Sequence, residues 1–139
     1  MRYINNKLMI EKINFQNLAK KFGTPAYCYS YSRLNENINN FKKNFKSFSP
    51  LICFSVKSNT NLSIIREIKK FGLGADVVSK GELMLALKAG INPGKIVFSG
   101  VGKTNEEINF AIKKKILLIN AESKSEIEEI NKIAAQKKK

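Results

Sequence analysis

"GADVVSKGELMLALKAG" (Gly74–Gly90) holds one complete stroke of the pattern that decides this fold. Gly74–Val78 is short, apolar and partly β-branched, which predicts a strand. Ser79-Lys-Gly-Glu82 then sets a hydroxyl and a carboxylate three residues apart, the capping-box signature of a helix start. Leu83, Ala86 and Leu87 follow at helical spacing. Gly90 supplies a residue suited to ending the helix and returning the chain to a strand.

The same order recurs on either side. Strands are expected at Ala26–Tyr31, Leu51–Val56, Lys95–Ser99 and Ile116–Asn120. Helical spacing appears at Leu62, Ile65 and Ile68, at Ile108, Ala111 and Ile112, and at Ile127 and Ile130. Thr104–Glu107 and Ser123–Glu126 repeat the capping box, and Gly72, Gly74 and Gly94 mark other returns from helix to strand. Strands alternating with helices imply a parallel sheet, because parallel neighbours need a crossover connection. The strand starts give a period of roughly 20–25 residues, tight for a doubly wound sheet and suited to a (β/α)8 TIM barrel. A complete barrel has eight such units in about 250 residues. The 139 residues supply about five. The expected fold class is therefore α/β, an incomplete barrel with open sheet edges, reading as the first part of a longer protein. Residues 1–24 form an N-terminal segment ahead of it, and residues 25–139 form the partial barrel.

Composition narrows the functional classes. Hydrophobic residues make up 43% and charged residues 26% of the chain, a globular balance. The net charge of +14 comes almost wholly from lysine, since arginine stands only at positions 2, 33 and 66. The lysines are scattered over helix faces and the C-terminus rather than gathered with aromatics. Arginine, the better fork for phosphates and base edges, is scarce. Neither specific nucleic-acid binding nor a membrane role is expected. Met1–Asn6 lacks the apolar core of a signal peptide, and no run reaches membrane-spanning length. Cys28 and Cys53 fall in expected strands and read as small buried hydrophobes of a reducing cytoplasm. The chain contains no histidine. That removes Ser-His and Cys-His catalysis, and most catalytic zinc sites, from these residues; no metal is expected.

Among the lysines, Lys57 is distinct by position. "LICFSVKSN" (Leu51–Asn59) carries it to the C-terminal end of a strand, the rim where barrel active sites lie. Lys95 and Lys115 stand instead at strand starts. Alternation turns Ile52, Phe54 and Val56 toward the helices and Cys53, Ser55 and Lys57 toward the barrel interior. On the next strand Ala75 and Val77 point outward and Asp76 inward. An amine and a carboxylate on neighbouring strands thus enter one enclosed space. A buried ion pair accounts for this. So does a site for Schiff-base chemistry, in which a lysine amine attacks a carbonyl. Periodicity alone leaves both open.

"SGVGKT" (Ser99–Thr104) fails as a phosphate loop, because the full pattern needs glycine where Val97 stands. Taken with "GTPAYCYS" (23–30), "FSVKSN" (54–59), "GLGADVVSKGEL" (72–83), "KIVFSGVGKTNEEI" (95–108) and "NAES" (120–123), it resembles another family. In order and spacing these segments are similar to the N-terminal part of the fold-type III pyridoxal-phosphate decarboxylases, most of all the diaminopimelate decarboxylase group. The likeness covers nearly everything after residue 22. Ser55 and Ser58 stand where alanine is common in the lysine motif, a small-for-small change.

The resemblance implies a barrel of the alanine racemase-like type and the cofactor pyridoxal 5'-phosphate. Lys57 would carry the cofactor as a Schiff base, and Asp76 would be the acidic residue beside that lysine and the cofactor. Glu82 matches a second carboxylate near the family's site, although its place in the capping box is the better account of it. The implied reaction is loss of CO2 from meso-2,6-diaminopimelate to give L-lysine, by a cytoplasmic homodimer. The stacking histidine, phosphate cup and substrate-binding residues of the family would lie downstream. The chain by itself is therefore expected to be poorly soluble and inert. Two other expectations stand beside this one: the same fold acting on another basic amino acid or polyamine precursor, and a non-catalytic basic module that binds polyanions.

Overall fold

The computed structural model of the chain describes residues 1–136, so the terminal lysines 137–139 of the basic C-terminus lie outside the described residues. The chain forms two compact units, Met1–Pro50 and Leu51–Lys139.

The first unit opens with a three-stranded antiparallel sheet, β1 (Arg2–Ile4), β2 (Lys7–Ile10) and β3 (Ile13–Asn14), in that order. Asn5 and Asn6 have φ of 47° and 59° between β1 and β2. These are the left-handed values that a two-residue hairpin turn demands and that asparagine tolerates. Asn14 accepts a hydrogen bond from the Gln16 N–H at 2.8 Å and caps α1 (Phe15–Phe22). Helix α2 spans Tyr31–Asn44. Its start is fixed by Glu11, whose carboxylate accepts from the Ser30 hydroxyl and the Ser32 N–H, both at 2.8 Å. Those donors, the Ser32 N–H foremost, hold the Glu11 carboxyl below its ordinary range.

The strand expected at Ala26–Tyr31 is not formed. Residues 26–30 make no sheet pairing, and Tyr31 begins α2. A β-prone stretch becomes a strand only where a neighbour supplies its ladder bonds, and these residues have none. Cys28 is accordingly exposed rather than buried.

The second unit is the expected α/β arrangement, an incomplete (β/α) barrel with four paired strands. Strands β4 (Cys53–Ser55), β5 (Gly74–Val77), β6 (Ile96–Phe98) and β7 (Leu118–Ile119) form one parallel sheet in chain order. Helices α3 (Leu62–Lys70), α4 (Lys80–Ala89) and α5 (Asn105–Lys114) connect them, and α6 (Lys124–Ala135) follows β7. The strands are shorter than the apolar runs that announced them.

The two sheet faces divide as alternation requires. Phe54, Ala75, Val77, Ile96, Phe98 and Ile119 share the helix-covered face. There they pack with Val56, Ile65, Leu83, Ala86 and Ala111, all fully buried. Gly74 makes the close spacing of this sheet possible: a Cβ at that position would lie 2.1 Å from the Lys95 carbonyl oxygen. Only glycine fits there. Ile127 remains exposed, and α6 buries Ile133 instead.

Of the three capping boxes, Thr104–Glu107 is complete in both directions. At Ser79 and Ser123 the hydroxyl caps the helix, but the carboxylates reach one residue further back. Glu82 accepts from the Val78 N–H at 2.9 Å, and Glu126 accepts from the Glu122 N–H at 2.6 Å. Both serines are extended (φ −155°, ψ 161°), whereas Thr104 has φ −76°. The extended cap turns its own N–H away from the helix and presents the preceding one. No helix among the described residues is long and apolar enough to cross a membrane.

Candidate functional site

The uncovered face of the parallel sheet carries Cys53, Ser55, Asp76, Val97 and Leu118, as the strand register dictates. Toward the C-terminal ends of the strands this face becomes a polar row. The Ser99 hydroxyl donates to Asp76 Oδ1 at 2.6 Å, and the Ser55 hydroxyl donates to Asp76 Oδ2 at 3.5 Å. The Asn120 side-chain amide in turn donates to the Ser99 oxygen at 3.0 Å. Ser55 and Asp76 on β4 and β5, with Ser99 and Asn120 just past the ends of β6 and β7, thus form one connected network. Each Asp76 oxygen takes one hydroxyl proton, which leaves acceptor capacity on a carboxylate that has about four lone-pair positions.

Burial, and then the nearby Asp76 charge, push the Cys53 thiol above its ordinary range. Cys53 lies half-buried against the Lys95 carbonyl on this face, and it is not activated as a nucleophile.

Lys57 stands just beyond β4, in a 3-10 turn formed by Val56–Ser58, rather than on the strand itself. The turn is closed by the Asn59 N–H bond to the Val56 carbonyl at 3.0 Å and by the Ser58 hydroxyl bond to the Ser55 carbonyl at 2.7 Å. Val56 is fully buried and anchors the turn, while Lys57 is exposed. The enclosed Lys57–Asp76 pair expected from alternation is not formed. Lys57 makes no hydrogen bond or ion pair among the described residues. The physical reason is solvation. Lys57 is exposed while Asp76 is half-buried, and an ammonium already in water gains little from a surface ion pair. The structure therefore brings Asp76 into the polar row and leaves Lys57 one turn beyond the neighbouring strand.

Glu82 is committed to capping. Its Oε2 holds the Val78 N–H, and its own N–H donates to the Ser79 hydroxyl at 3.2 Å. It belongs to no part of the Asp76 network.

Sequence reasoning missed Ser99, Asn120 and the role of Lys103. Ser99 was detectable as the residue two beyond Val97, on the same face as Asp76. Lys103 was hidden among 25 basic residues. Its side chain is 1% exposed and is paired with Glu126 at 3.1 Å. It also donates to the carbonyls of Gly100 at 2.5 Å and Asn120 at 2.7 Å. Burial pushes the Glu126 carboxyl upward, but the Glu122 N–H and Lys103 outweigh it and leave that group below its ordinary range. The loop "SGVGKT" is thus a rim loop folded around its own lysine.

The neighbouring helix starts are joined as well. Glu107 accepts from the Lys80 N–H at 2.9 Å, Lys80 pairs with Glu106, and Asn105 donates to Glu129 at 2.9 Å. No group of side chains among the described residues is placed to hold a metal ion.

Comparison with known proteins gives this geometry a family. Residues 31–139 match the family model described as pyridoxal-dependent decarboxylase, pyridoxal binding domain. The diaminopimelate decarboxylase of Aquifex aeolicus is 42% identical over 136 residues, which are 98% of this chain and 32% of that protein. A crystal structure of AQ1208 from Aquifex aeolicus superposes with a TM-score of 0.95 at 42% identity, covering 99% of this chain and 34% of that one. The Helicobacter pylori diaminopimelate decarboxylase solved with L-lysine gives a TM-score of 0.85 at 44% identity, over 88% of this chain and 31% of that one. The chain spans about a third of the length of these relatives. A parallel α/β sheet with a lysine just past one strand and an acidic residue on the next, together with a family match over most of its length, places the chain in the pyridoxal-dependent decarboxylase family.

Proposed function

We propose that this chain is the cofactor-anchoring part of a pyridoxal-phosphate-dependent decarboxylase that converts meso-2,6-diaminopimelate to L-lysine. The observation that carries this reading is the pairing of position and chemistry at one end of the sheet. An exposed primary amine, Lys57 Nζ, lies just beyond β4, and the Asp76 carboxylate lies on β5 in a row of serines and asparagine. The residues fit a pyridoxal group. The amine has no protein partner among the described residues to displace, and Asp76 keeps acceptor capacity beyond its two serine donors.

Lys57 would hold the cofactor covalently through Nζ. Asp76 would orient that nitrogen and favour its protonated form. When bound, the pyridoxal ring supplies the electron sink for loss of CO2. Once released by substrate, Lys57 Nζ would carry a proton. Glu82 is left as a helix cap with a minor place near the cofactor at most. Residues 25–139 would be the barrel part, preceded by the segment 1–24. The active assembly would be a cytoplasmic homodimer acting on a free amino acid. The substrate assignment draws support from relatives that are 36–46% identical and carry the name diaminopimelate decarboxylase.

The experiment is reductive trapping. The full-length protein is treated with pyridoxal phosphate and borohydride, then digested and mapped. The label is expected at Lys57 alone, and Lys57→Ala should abolish it along with decarboxylation. Label spread evenly over the surface lysines would refute a dedicated site.

A further inference from the structure

The Lys103 side chain is 1% exposed, a degree of burial that lysines seldom reach unless paired. Removing an ammonium from water costs several kcal/mol unless every proton finds a partner. Here all three do: Glu126 Oε1, the Gly100 carbonyl and the Asn120 carbonyl. The ammonium nitrogen lies over the ring of the buried Phe98, 5.9 Å from its centre, so the side chain is seated against the core. A loop can be closed more cheaply with backbone bonds. A fully paired, buried charge fixes a particular arrangement of its neighbours.

The neighbour it fixes is Asn120. Lys103 holds the backbone carbonyl of Asn120, and the Asn120 N–H donates to the Phe98 carbonyl at 2.8 Å. With its backbone held on both sides, Asn120 donates through its side chain to Ser99, and Ser99 donates to Asp76 Oδ1. The last two bonds run in one direction, each donor polarising the next, and end on the carboxylate.

We propose that Lys103 is a positioning residue for Asp76, acting through Asn120 and Ser99. This inference rests on the reading of Asp76 as the carboxylate beside the cofactor. In that role Asp76 must present a fixed oxygen toward the amine that follows the neighbouring strand β4. Ser99 and Asn120 fix the other oxygen, and Lys103 holds Asn120 to its station.

The test is a double-mutant cycle on the full-length protein, read by pyridoxal phosphate affinity and by the pH dependence of the bound cofactor's visible absorption. Lys103→Met keeps the length of the side chain and removes its charge. It should weaken cofactor binding about tenfold, the size of a networked coupling. It should also shift the spectral titration in the same direction as Asp76→Asn. In an Asp76→Asn background Lys103→Met should add less than about twofold, because the route to the cofactor is already cut. Effects that multiply in the double variant would show Lys103 to be only a loop staple and overturn the proposal. If Lys103→Met fails to fold, Ser99→Ala and Asn120→Ala take its place with the lysine intact. Both should reproduce the weaker binding and the spectral shift, and wild-type behaviour in both would equally overturn it. Failure of the cofactor reading itself looks different: the unsubstituted protein would bind no pyridoxal phosphate and carry no label at Lys57.

Discussion

The sheet face of Asp76 was readable because alternation along a strand has period two. Alternation put Asp76 on the open face, and the register confirms it opposite Ser55. Lys57 was placed only approximately. The strand ends at Ser55 and the chain turns through Val56, so the amine follows a turn instead of continuing the pleat. Pattern reasoning gives no warning of this, because a buried valine suits a strand and a 3-10 turn equally. The Lys103 network was unreadable for a different reason. Nothing local distinguishes a lysine that folds back into its loop from one in water. Gly74 is the residue whose identity the packing most strictly requires. Gly74→Ala would drive a methyl group against the Lys95 carbonyl at 2.1 Å and the Cys53 sulfur at 2.9 Å. Backbone would have to move, so the cost should exceed that of ordinary overpacking, about 1–3 kcal/mol. Thermal unfolding of the variant should show a loss of at least that size. An unchanged midpoint would mean that β5 and β6 lie further apart than described.

Helix starts were the most readable elements, since a cap is a local bargain between a hydroxyl and nearby N–H groups. What the sequence could not distinguish was the reciprocal carboxylate. The same Ser/Thr-x-x-Glu spacing closes a full box at Thr104 and reaches past the cap at Ser79 and Ser123. The backbone at the cap differs with the outcome, φ −76° at Thr104 and −155° at both serines. Glu107 joins two helices, accepting from the Lys80 N–H of α4 and from Thr104 of its own helix. These bonds, the Lys80 N–H foremost, hold its carboxyl below the ordinary value of 4.5. The folded state therefore binds fewer protons than the unfolded state as pH falls below that value. The stabilisation is present above about pH 4.5 and is lost as pH drops through the depressed folded value. Replacing Glu107 with Gln should lower stability at neutral pH and flatten the acid limb of stability against pH. A variant whose acid limb matches that of the unsubstituted chain would show the carboxylate to be unimportant.

The sheet order and the covered face followed from the strand–helix rhythm, which is a property of the chain as a whole. The first fifty residues did not. Their hairpin was signalled by Asn5-Asn6 between two short apolar runs, a turn pair that a search for strand–helix alternation passes over. The stretch at 26–30 has strand composition without a strand's partner, and composition carries no information about partners. The two cysteines report separately on the two compact units, one in each. Cys28 is exposed, while Cys53 is half-buried with its thiol pushed up by burial and by Asp76. At neutral pH an alkylating reagent should therefore modify Cys28 at least about tenfold faster, since the thiolate is the reactive form. As denaturant is added, the rate at Cys53 should rise toward that at Cys28 together with loss of the helical signal. Equal rates in the absence of denaturant would show that β4 is not held against β5, and with it would fall the sheet that presents Asp76.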